Sequence, residues 1–520
     1  MYTFWGGVMP PPHKDTIRIF EDTPMKLLLI GHEERYAVEQ LQLALFPLEP
    51  MEPVEDPAIQ YDPRRTHYFD GDGALSVLDR CDTEISALTI VYVGGKHHCA
   101  RVRLPADQET VSSRRRILQQ SYYQAALPFL KKVPAWGALS GVRPTKLTTR
   151  CLKAGMNDEE TIREMETTYF VTPRRAQLAL DCSKSTMAAA AKLSPHDVSL
   201  YVGIPFCPTR CAYCSFVSKT IGKNTNLMDP YLEALHKELR RTGELMATSG
   251  KTVRTIYIGG GTPTTLTAAQ MKALLDCIRE SFDLSRCIEF TVEGGRPDTL
   301  DQEKLDVIAQ NGADRMSINP QSMVDSVLEA SRRPHTAADV ERSYRQAVNA
   351  GFAAINMDLI AGLPTDDFDG FKHSLDTTIA LSPANITVHT LAIKKGADLY
   401  EQRDGLSSDE EVSRMVDYAE DTLRNAGYVP YYLYRQKYMS GSFENVGWCR
   451  PGSECLYNIY MMEELHTIIS VGGGGMNKVN LPDGHLQRFH NPKFPQQYIE
   501  MIDDVLRQKE ELFRLMRNEE

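Results

Sequence analysis

Three cysteines stand together in the stretch GIPFCPTRCAYCSF, where Cys207, Cys211 and Cys214 are spaced C-x3-C-x2-C. Three thiolates on so short a loop can hold a metal. A structural zinc site needs four side-chain ligands, often as two pairs, and no second Cys or His pair stands nearby, which leaves Cys449 and Cys455 as distant candidates. A [4Fe-4S] cluster takes one thiolate per iron, so three cysteines leave one iron open to an external ligand. The alternative is three buried structural cysteines. Pro205, Pro208 and Tyr213, which shape the loop at the end of a strand-like run, favour the metal.

Other residues with chemical potential follow at intervals. The run GGGTPT, Gly259 to Thr264, contains Gly260, Gly261 and Thr262, and its glycines let backbone amides and carbonyls approach a ligand, although a tight turn would use them equally. Arg333, in SRRPHT, suits a carboxylate or another anion because a guanidinium can bind in bidentate fashion. Asp358 is flanked by apolar residues in INMDLIAGLP, where an unpaired carboxylate is costly to bury, so it needs a partner. His389 and His466 could meet a substrate, with satisfied structural histidines as the commoner outcome. The pair in IKKG, Ile393 to Gly396, could meet acidic groups or simply be solvated. Arg143 and Lys146, in WGALSGVRPTKL, could contact an anion, but a loop that docks two domains is the better reading.

These residues need a scaffold. From Val198 onward, β-rich runs alternate with amphipathic helical segments: VSLYVGI, RTIYIGG, IEFTVEG, RMSINPQ, AAINMDLIAG and NITVHTLA are the strand candidates. Six βα units predict a curved parallel sheet, with chemistry at the carboxyl ends of the strands. The connecting helices include DPYLEALHKELRRTGELMATSG and TAADVERSYRQAVNAG, the latter with Thr336 as its cap. Before the barrel, MKLLLIG predicts a strand, EERYAVEQLQLALF a helix, and ISALTIVYVGGKHHCARVRL two strands joined at Gly94 and Gly95. The expected division is a flexible extension over residues 1–24 with Met25 a candidate natural start, an α/β and helical domain over 25–192, the barrel over 196–400, and a small, mostly helical carboxy-terminal domain over 401–520.

Composition narrows the class of molecule. The chain has 520 residues, 42% hydrophobic and 24% charged, as expected of a multidomain soluble enzyme. A net charge of -11 argues against an extended nucleic-acid surface. No apolar run is long enough to span a membrane, and the first residues lack the pattern of a secretory signal. A cytoplasmic location is expected, where thiols stay reduced and the 11 cysteines need not pair.

The cysteine triplet with an aromatic before its third member resembles the radical S-adenosylmethionine (SAM) superfamily, and YVGIPFC resembles relatives of oxygen-independent coproporphyrinogen III oxidase. The likeness extends over roughly Ser199 to Ile499, and WGALSGVRPTKL is similar to the HemZ-type coproporphyrinogen dehydrogenases. It implies a partial (β/α)6 radical SAM barrel with a [4Fe-4S] cluster on Cys207, Cys211 and Cys214. It also implies SAM held by Tyr201, Tyr213, Gly260, Gly261, Thr262, Glu293, Gln321, Arg333 and Asp358, with Tyr201 and Glu293 close to the reaction. An electron donor such as flavodoxin or ferredoxin would reduce the cluster, SAM would yield methionine and a 5'-deoxyadenosyl radical, and a propionate of coproporphyrinogen III would become a vinyl group, twice, giving protoporphyrinogen IX.

Two departures from the family stand out. The well-studied branch carries a further cysteine two residues after the third, where this chain has Phe216. Heme chaperones of the family also lack it, but they carry an H-N-x-x-Y-W motif where this chain has YNIYMM, Tyr457 to Met462. Their histidine is replaced by Tyr457, which demotes a heme-trafficking role without removing it, since tyrosine also ligates heme iron. A methyltransferase that opens the heme ring shares the barrel but gains no support from any residue. An interaction protein that has lost catalysis would have little need of the triplet, the glycine motif and Asp358 together.

Overall fold

The computed structural model describes residues 24–46, 51–54, 60–65, 67–68, 70–394, 396–400, 405–436, 443–481 and 484–517. The expected extension before Met25 lies outside them, apart from Pro24. The chain divides into two compact units at Lys132/Val133.

The first unit contains strands β1 (Met25–Ile30), β2 (Met51–Val54), β3 (Gly73–Arg80), β4 (Glu84–Val93) and β5 (Lys96–Pro105), in the order β2-β1-β3-β4-β5. Helices α1 (Arg35–Leu45) and α2 (Val111–Ala126) complete it, α2 lying across β4 and β5. The predicted turn at Gly94 and Gly95 joins β4 to β5, both glycines at positive φ. Thr110 caps α2, its Oγ1 accepting from the Ser113 amide at 3.0 Å.

The second unit begins with helices α3 (Thr145–Lys153), α4 (Asp158–Tyr169) and α5 (Pro173–Ala190). They were expected to belong with residues 25–132, but their apolar face joins a core with later strands: Trp136, Leu178 and Ala179 pack with Val388, Val446 and Trp448. Trp136 Nε1 donates to Glu444 Oε2 at 2.7 Å, and Arg175 pairs with the other oxygen of that carboxylate at 2.7 Å. The division expected between residues 192 and 196 marks a change from helix to strand and no unit boundary.

The barrel sheet follows: β6 (Asp197–Ile204), the short β7 (Phe206–Cys207) and β8 (Lys219–Thr220), α6 (Ile221–Asn224), α7 (Met228–Ala247), β9 (Thr252–Gly260), α8 (Ala268–Ser281), β10 (Glu289–Gly295), α9 (Gln302–Gln310), β11 (Arg315–Ile318), α10 (Asp325–Ala330), α11 (Ala337–Ala350), β12 (Ala354–Ala361), α12 (Phe368–Leu381) and β13 (Asn385–Thr390). Strands β6, β9, β10, β11, β12 and β13 pair in parallel in that order, matching the six predicted runs. Thr336 caps α11 as expected, accepting from the Asp339 amide at 3.2 Å. One face of these strands is apolar, with Leu200, Ile256, Val292, Met316 and Met357 buried against the surrounding helices, while the alternate residues Ser199, Thr255, Thr291, Ser317 and Thr387 are buried polar ones on the other face.

The remaining elements are α13 (Asp409–Asn425), β14 (Val429–Arg435), β15 (Glu444–Cys449), α14 (Leu456–Glu463), β16 (Ile468–Gly472), β17 (Met476–Asn480), β18 (Leu486–His490), α15 (Pro495–Glu500) and α16 (Ile502–Arg517). The expectation of a separate, mostly helical domain is corrected here, because these strands extend the barrel sheet at both edges. Strand β15 pairs antiparallel with β13, β14 with β15, and β16 runs parallel to β6. A partial barrel leaves two edges with unpaired backbone groups, and these strands cover them.

Candidate functional site

The cysteine loop leaves the carboxyl end of β6 and is closed at its base, because β7 pairs with β8 through Phe206↔Lys219 and Cys207↔Thr220. Phe206 is fully buried and meets the Tyr231 ring edge-on, centroids 5.3 Å apart, which anchors the loop in the barrel wall. The glycine motif clasps the same loop: the Gly261 amide donates to Ile204 O at 2.9 Å and the Thr262 amide to Phe206 O at 2.7 Å. A Cβ at position 261 would lie 2.5 Å from Phe206 O and 2.9 Å from Cys207 Sγ, so glycine is required for that approach. Gly260 has φ +123°, closed to other residues. Thr262 Oγ1 donates to Cys207 Sγ at 3.6 Å.

On the other side of the loop stands Arg333. Its guanidinium donates to Cys211 Sγ at 3.8 Å, Tyr213 OH at 3.2 Å, Gly295 O at 3.2 Å and Asn319 O at 2.7 Å. Arg333 is therefore tied to the cysteine loop, and only its Nε lacks an acceptor among the described residues. Burial pushes the Cys214 thiol up, against a hydrogen bond from the Phe216 backbone. Tyr213 is raised by burial, with Arg333 opposing.

Two carboxyl groups lie farther along the rim. Glu293, next to the end of β10, is pushed up to about 8 by burial and by the charge of Asp358, so it holds a proton at neutral pH while Tyr257 and the Gly260 amide pull the other way. Asp358, on β12, goes the opposite way. Burial raises it, but His389, Asn356 and Thr387 together outweigh that and keep it ionised below the usual range. Asn356 Nδ2 donates to Asp358 Oδ1 at 2.7 Å, and His389 Nε2 lies 3.7 Å from Oδ2. Asp358 thus has the partner that the sequence demanded. Gln321 joins the same group through its backbone, with φ +68° and its amide donating to Asp358 O at 2.9 Å.

Tyr201 stacks on Tyr257 at 6.3 Å and on Tyr457 at 6.4 Å, and Tyr257 stacks on Tyr457 at 4.7 Å. Tyr201 is raised by burial and by Glu293. Neither Tyr257 nor its place beside Glu293 was read from the sequence, although its position two residues before Gly259 on a predicted strand puts both on the same face.

Some sequence candidates lie elsewhere. Cys449 and Cys455 are buried in another cluster, and Cys455 donates to Glu289 at 3.4 Å, at the opposite end of β10 from Glu293. His466 bonds Ser199 Oγ at 2.7 Å and packs on Tyr460, a structural role. Arg143 and Lys146 both pair with Glu464, which makes their loop a docking contact within the second unit. Phe216 is 70% exposed, so the side chain at the position of the family's extra cysteine faces solvent.

A family model described as the radical SAM superfamily matches residues 201–377. An oxygen-independent coproporphyrinogen-III oxidase-like protein, HemZ of Bacillus subtilis (strain 168), is 40% identical over 388 residues, spanning 73% of this chain and 77% of that one. The chain belongs to this radical SAM family. The heme chaperone HemW of Escherichia coli (strain K12) is a more distant relative, 28% identical over 319 residues, 60% of this chain and 79% of that one. The solved structure of coproporphyrinogen III oxidase (HemN) from Escherichia coli, described as a radical SAM enzyme, shares the fold with a TM-score of 0.51 and 23% identity over 62% of this chain and 73% of that one.

Radical SAM proteins use a [4Fe-4S] cluster and SAM. The residues fit that pair. Among the described residues no three His, Cys, Asp or Glu side chains close on a single ion. Three thiols on one tethered loop suit instead a group wide enough to give each its own iron. Hydrogen-bond donors from Thr262 and Arg333 already face two of the sulfurs.

Proposed function

We propose that this chain is an oxygen-independent coproporphyrinogen III dehydrogenase, which turns two propionates into vinyl groups to give protoporphyrinogen IX. The observation that carries the reading is the convergence, on one rim, of the cysteine loop, the glycine motif, Glu293, Gln321, Arg333 and Asp358. When bound, the cluster and SAM supply one-electron chemistry that abstracts hydrogen from an unactivated carbon.

The chain's own residues prepare that event. Cys207, Cys211 and Cys214 hold the cluster, and Thr262 and Arg333 disperse the negative charge of two thiolates. Gly260 and Gly261 bring the backbone within reach of the SAM amino group. Glu293, held protonated by burial, would release its proton to solvent on binding the SAM ammonium, and ionised Asp358 would accept hydrogen bonds from SAM hydroxyls. Tyr201 and its stacked neighbours keep water from the reacting carbon. In the proposed reaction each propionate would give a hydrogen atom to the radical chemistry that SAM supplies, one electron to a separate one-electron acceptor and carbon dioxide to solvent, leaving a vinyl group. A low-potential carrier such as flavodoxin or ferredoxin in the cytoplasm supplies reducing electrons.

A heme-trafficking role is the second reading, favoured by the HemW relatives. Tyr457, at the position of the chaperone's histidine, weakens it: the residue is 4% exposed, and its ring is sandwiched in the tyrosine stack. Anaerobic protein reconstituted with iron and sulfide, offered coproporphyrinogen III and heme separately, tests the choice. Consumption of coproporphyrinogen with release of carbon dioxide supports the dehydrogenase. Tight heme binding with coproporphyrinogen untouched transfers the support to the chaperone.

A further inference from the structure

The span between the first two cysteines, Pro208-Thr209-Arg210, is gripped from the end of β10. Arg296 Nη1 donates to Thr209 Oγ1 at 2.7 Å and to Thr209 O at 3.4 Å. Among the described residues Thr209 makes no other hydrogen bond, so Arg296 is what fixes the middle of this span. The second half of the loop has its own ties: Arg333 donates to Cys211 Sγ and Tyr213 OH, and the Ala212 amide donates to Ser331 O at 3.2 Å.

The guanidinium of Arg296 is itself locked. Its Nε and Nη2 donate to the two oxygens of Asp298 at 3.0 Å and 2.8 Å, a bidentate pair in which the arginine is 3% exposed. The buried ring of His335, on the segment that carries Arg333, comes within 3.7 Å of the same carboxylate. The sequence builds the pair from Arg-Pro-Asp: Arg296 is extended, Pro297 opens a single tight turn, and Thr299 Oγ1 closes it on Arg296 O at 2.8 Å. Thr264 of the glycine motif donates to Gly294 O at 2.7 Å and lies 2.6 Å from Thr299 Oγ1. The grip on the cysteine loop, the glycine motif and the end of β10 thus form one hydrogen-bonded unit.

The two arginines on the loop differ in charge balance. Arg333 has no carboxylate partner among the described residues, whereas Arg296 is neutralised by Asp298. Arg296 therefore holds the loop in place without adding net charge beside the thiols. Outer contacts of this kind orient the ligands of a metal group and tune its properties.

We propose that Arg296 is a positioning residue for the cluster: through Thr209 it fixes the placement of Cys207 and Cys211, and with it the surroundings in which the cluster binds SAM. The inference needs the cluster and SAM and is independent of which tetrapyrrole is the substrate.

The test uses full-length protein with its cluster reconstituted anaerobically, as wild type, Thr209→Val, Thr209→Ser, Arg296→Met and the double variant Thr209→Val/Arg296→Met. Thr209→Val removes the hydroxyl at nearly constant shape and leaves the Arg296–Asp298 pair intact, so it decides even where Arg296→Met fails to fold. The expected result for Thr209→Val is a full cluster with a shifted midpoint potential, an altered electron paramagnetic resonance spectrum when reduced, and about tenfold weaker SAM binding. Thr209→Ser should behave as wild type, and the double variant should be no worse than Arg296→Met, because both changes break one contact. A Thr209→Val protein that fails to hold a cluster held by Thr209→Ser supports the proposal equally. Unaltered potential, spectrum and SAM affinity in Thr209→Val overturn it, and a lowered melting temperature alone would mark the contact as structural. Additive losses in the double variant also overturn it, since they would place the two residues on separate routes.

Discussion

The guanidinium of Arg333 lies 3.8 Å from Cys211 Sγ while its other N–H groups hold the carbonyls of Gly295 and Asn319. One side chain thus ties the cysteine loop to the carboxyl ends of two barrel strands. Arg333→Met is expected to destabilise the protein by about 1–3 kcal/mol for each buried acceptor left bare. Urea unfolding measures this, and calorimetry should show weakened SAM binding in any variant that still carries its cluster.

Cys211 is the most enclosed of the three thiols. Cys211→Ala should lose the iron-sulfur absorbance and most of its iron after reconstitution, with far-ultraviolet circular dichroism unchanged. A full cluster in that variant contradicts the ligand assignment.

The two rim carboxyls titrate in opposite senses. In the folded chain Glu293 keeps its proton to about 8, against an ordinary value of 4.5, so between those pH values the unfolded state binds fewer protons than the native one. Stability contributed by this group is therefore full at low pH and declines as pH rises through the window. Glu293→Gln should flatten that decline in a series of thermal melts. SAM should bind wild type more tightly as pH rises toward about 8, because a carboxylate receives its ammonium better than a carboxylic acid does.

Glu444 is buried between Trp136 and Arg175, with its carboxylate shared by both. Glu444→Ala leaves the Trp136 Nε1–H bare while Arg175 keeps Asp417 at 2.9 Å and Glu420 at 3.1 Å, and should cost about 1–3 kcal/mol. Release of the helices before the barrel would appear as new protease cleavage between residues 133 and 192.

Tyr457 carries a buried hydroxyl with no hydrogen-bond partner among the described residues. Tyr457→Phe should be neutral or stabilising by up to about 1 kcal/mol and should leave the cluster intact. A heme spectrum in wild type that vanishes in this variant would reinstate the chaperone reading.

The barrel was legible because short β-rich runs with one apolar face recur between amphipathic helical segments. The site followed from it, since each motif stands at the end of such a run. The edges were not legible. Strands β15 and β16 pair with β13 and β6, partners far along the sequence, and nothing local in ENVGWC or TIISVGG announces which edge each will cover. His389 stood in the sequence as an isolated histidine, and its role beside Asp358 depends on the register Asp358↔Thr387 between neighbouring strands.

The most direct test of the central claim is an anaerobic reaction of the reconstituted protein with SAM, a reductant and coproporphyrinogen III, followed by mass spectrometry of both products. The account predicts loss of two carboxyl groups from the tetrapyrrole with a matching amount of 5'-deoxyadenosine. Formation of 5'-deoxyadenosine while coproporphyrinogen III stays intact would contradict it.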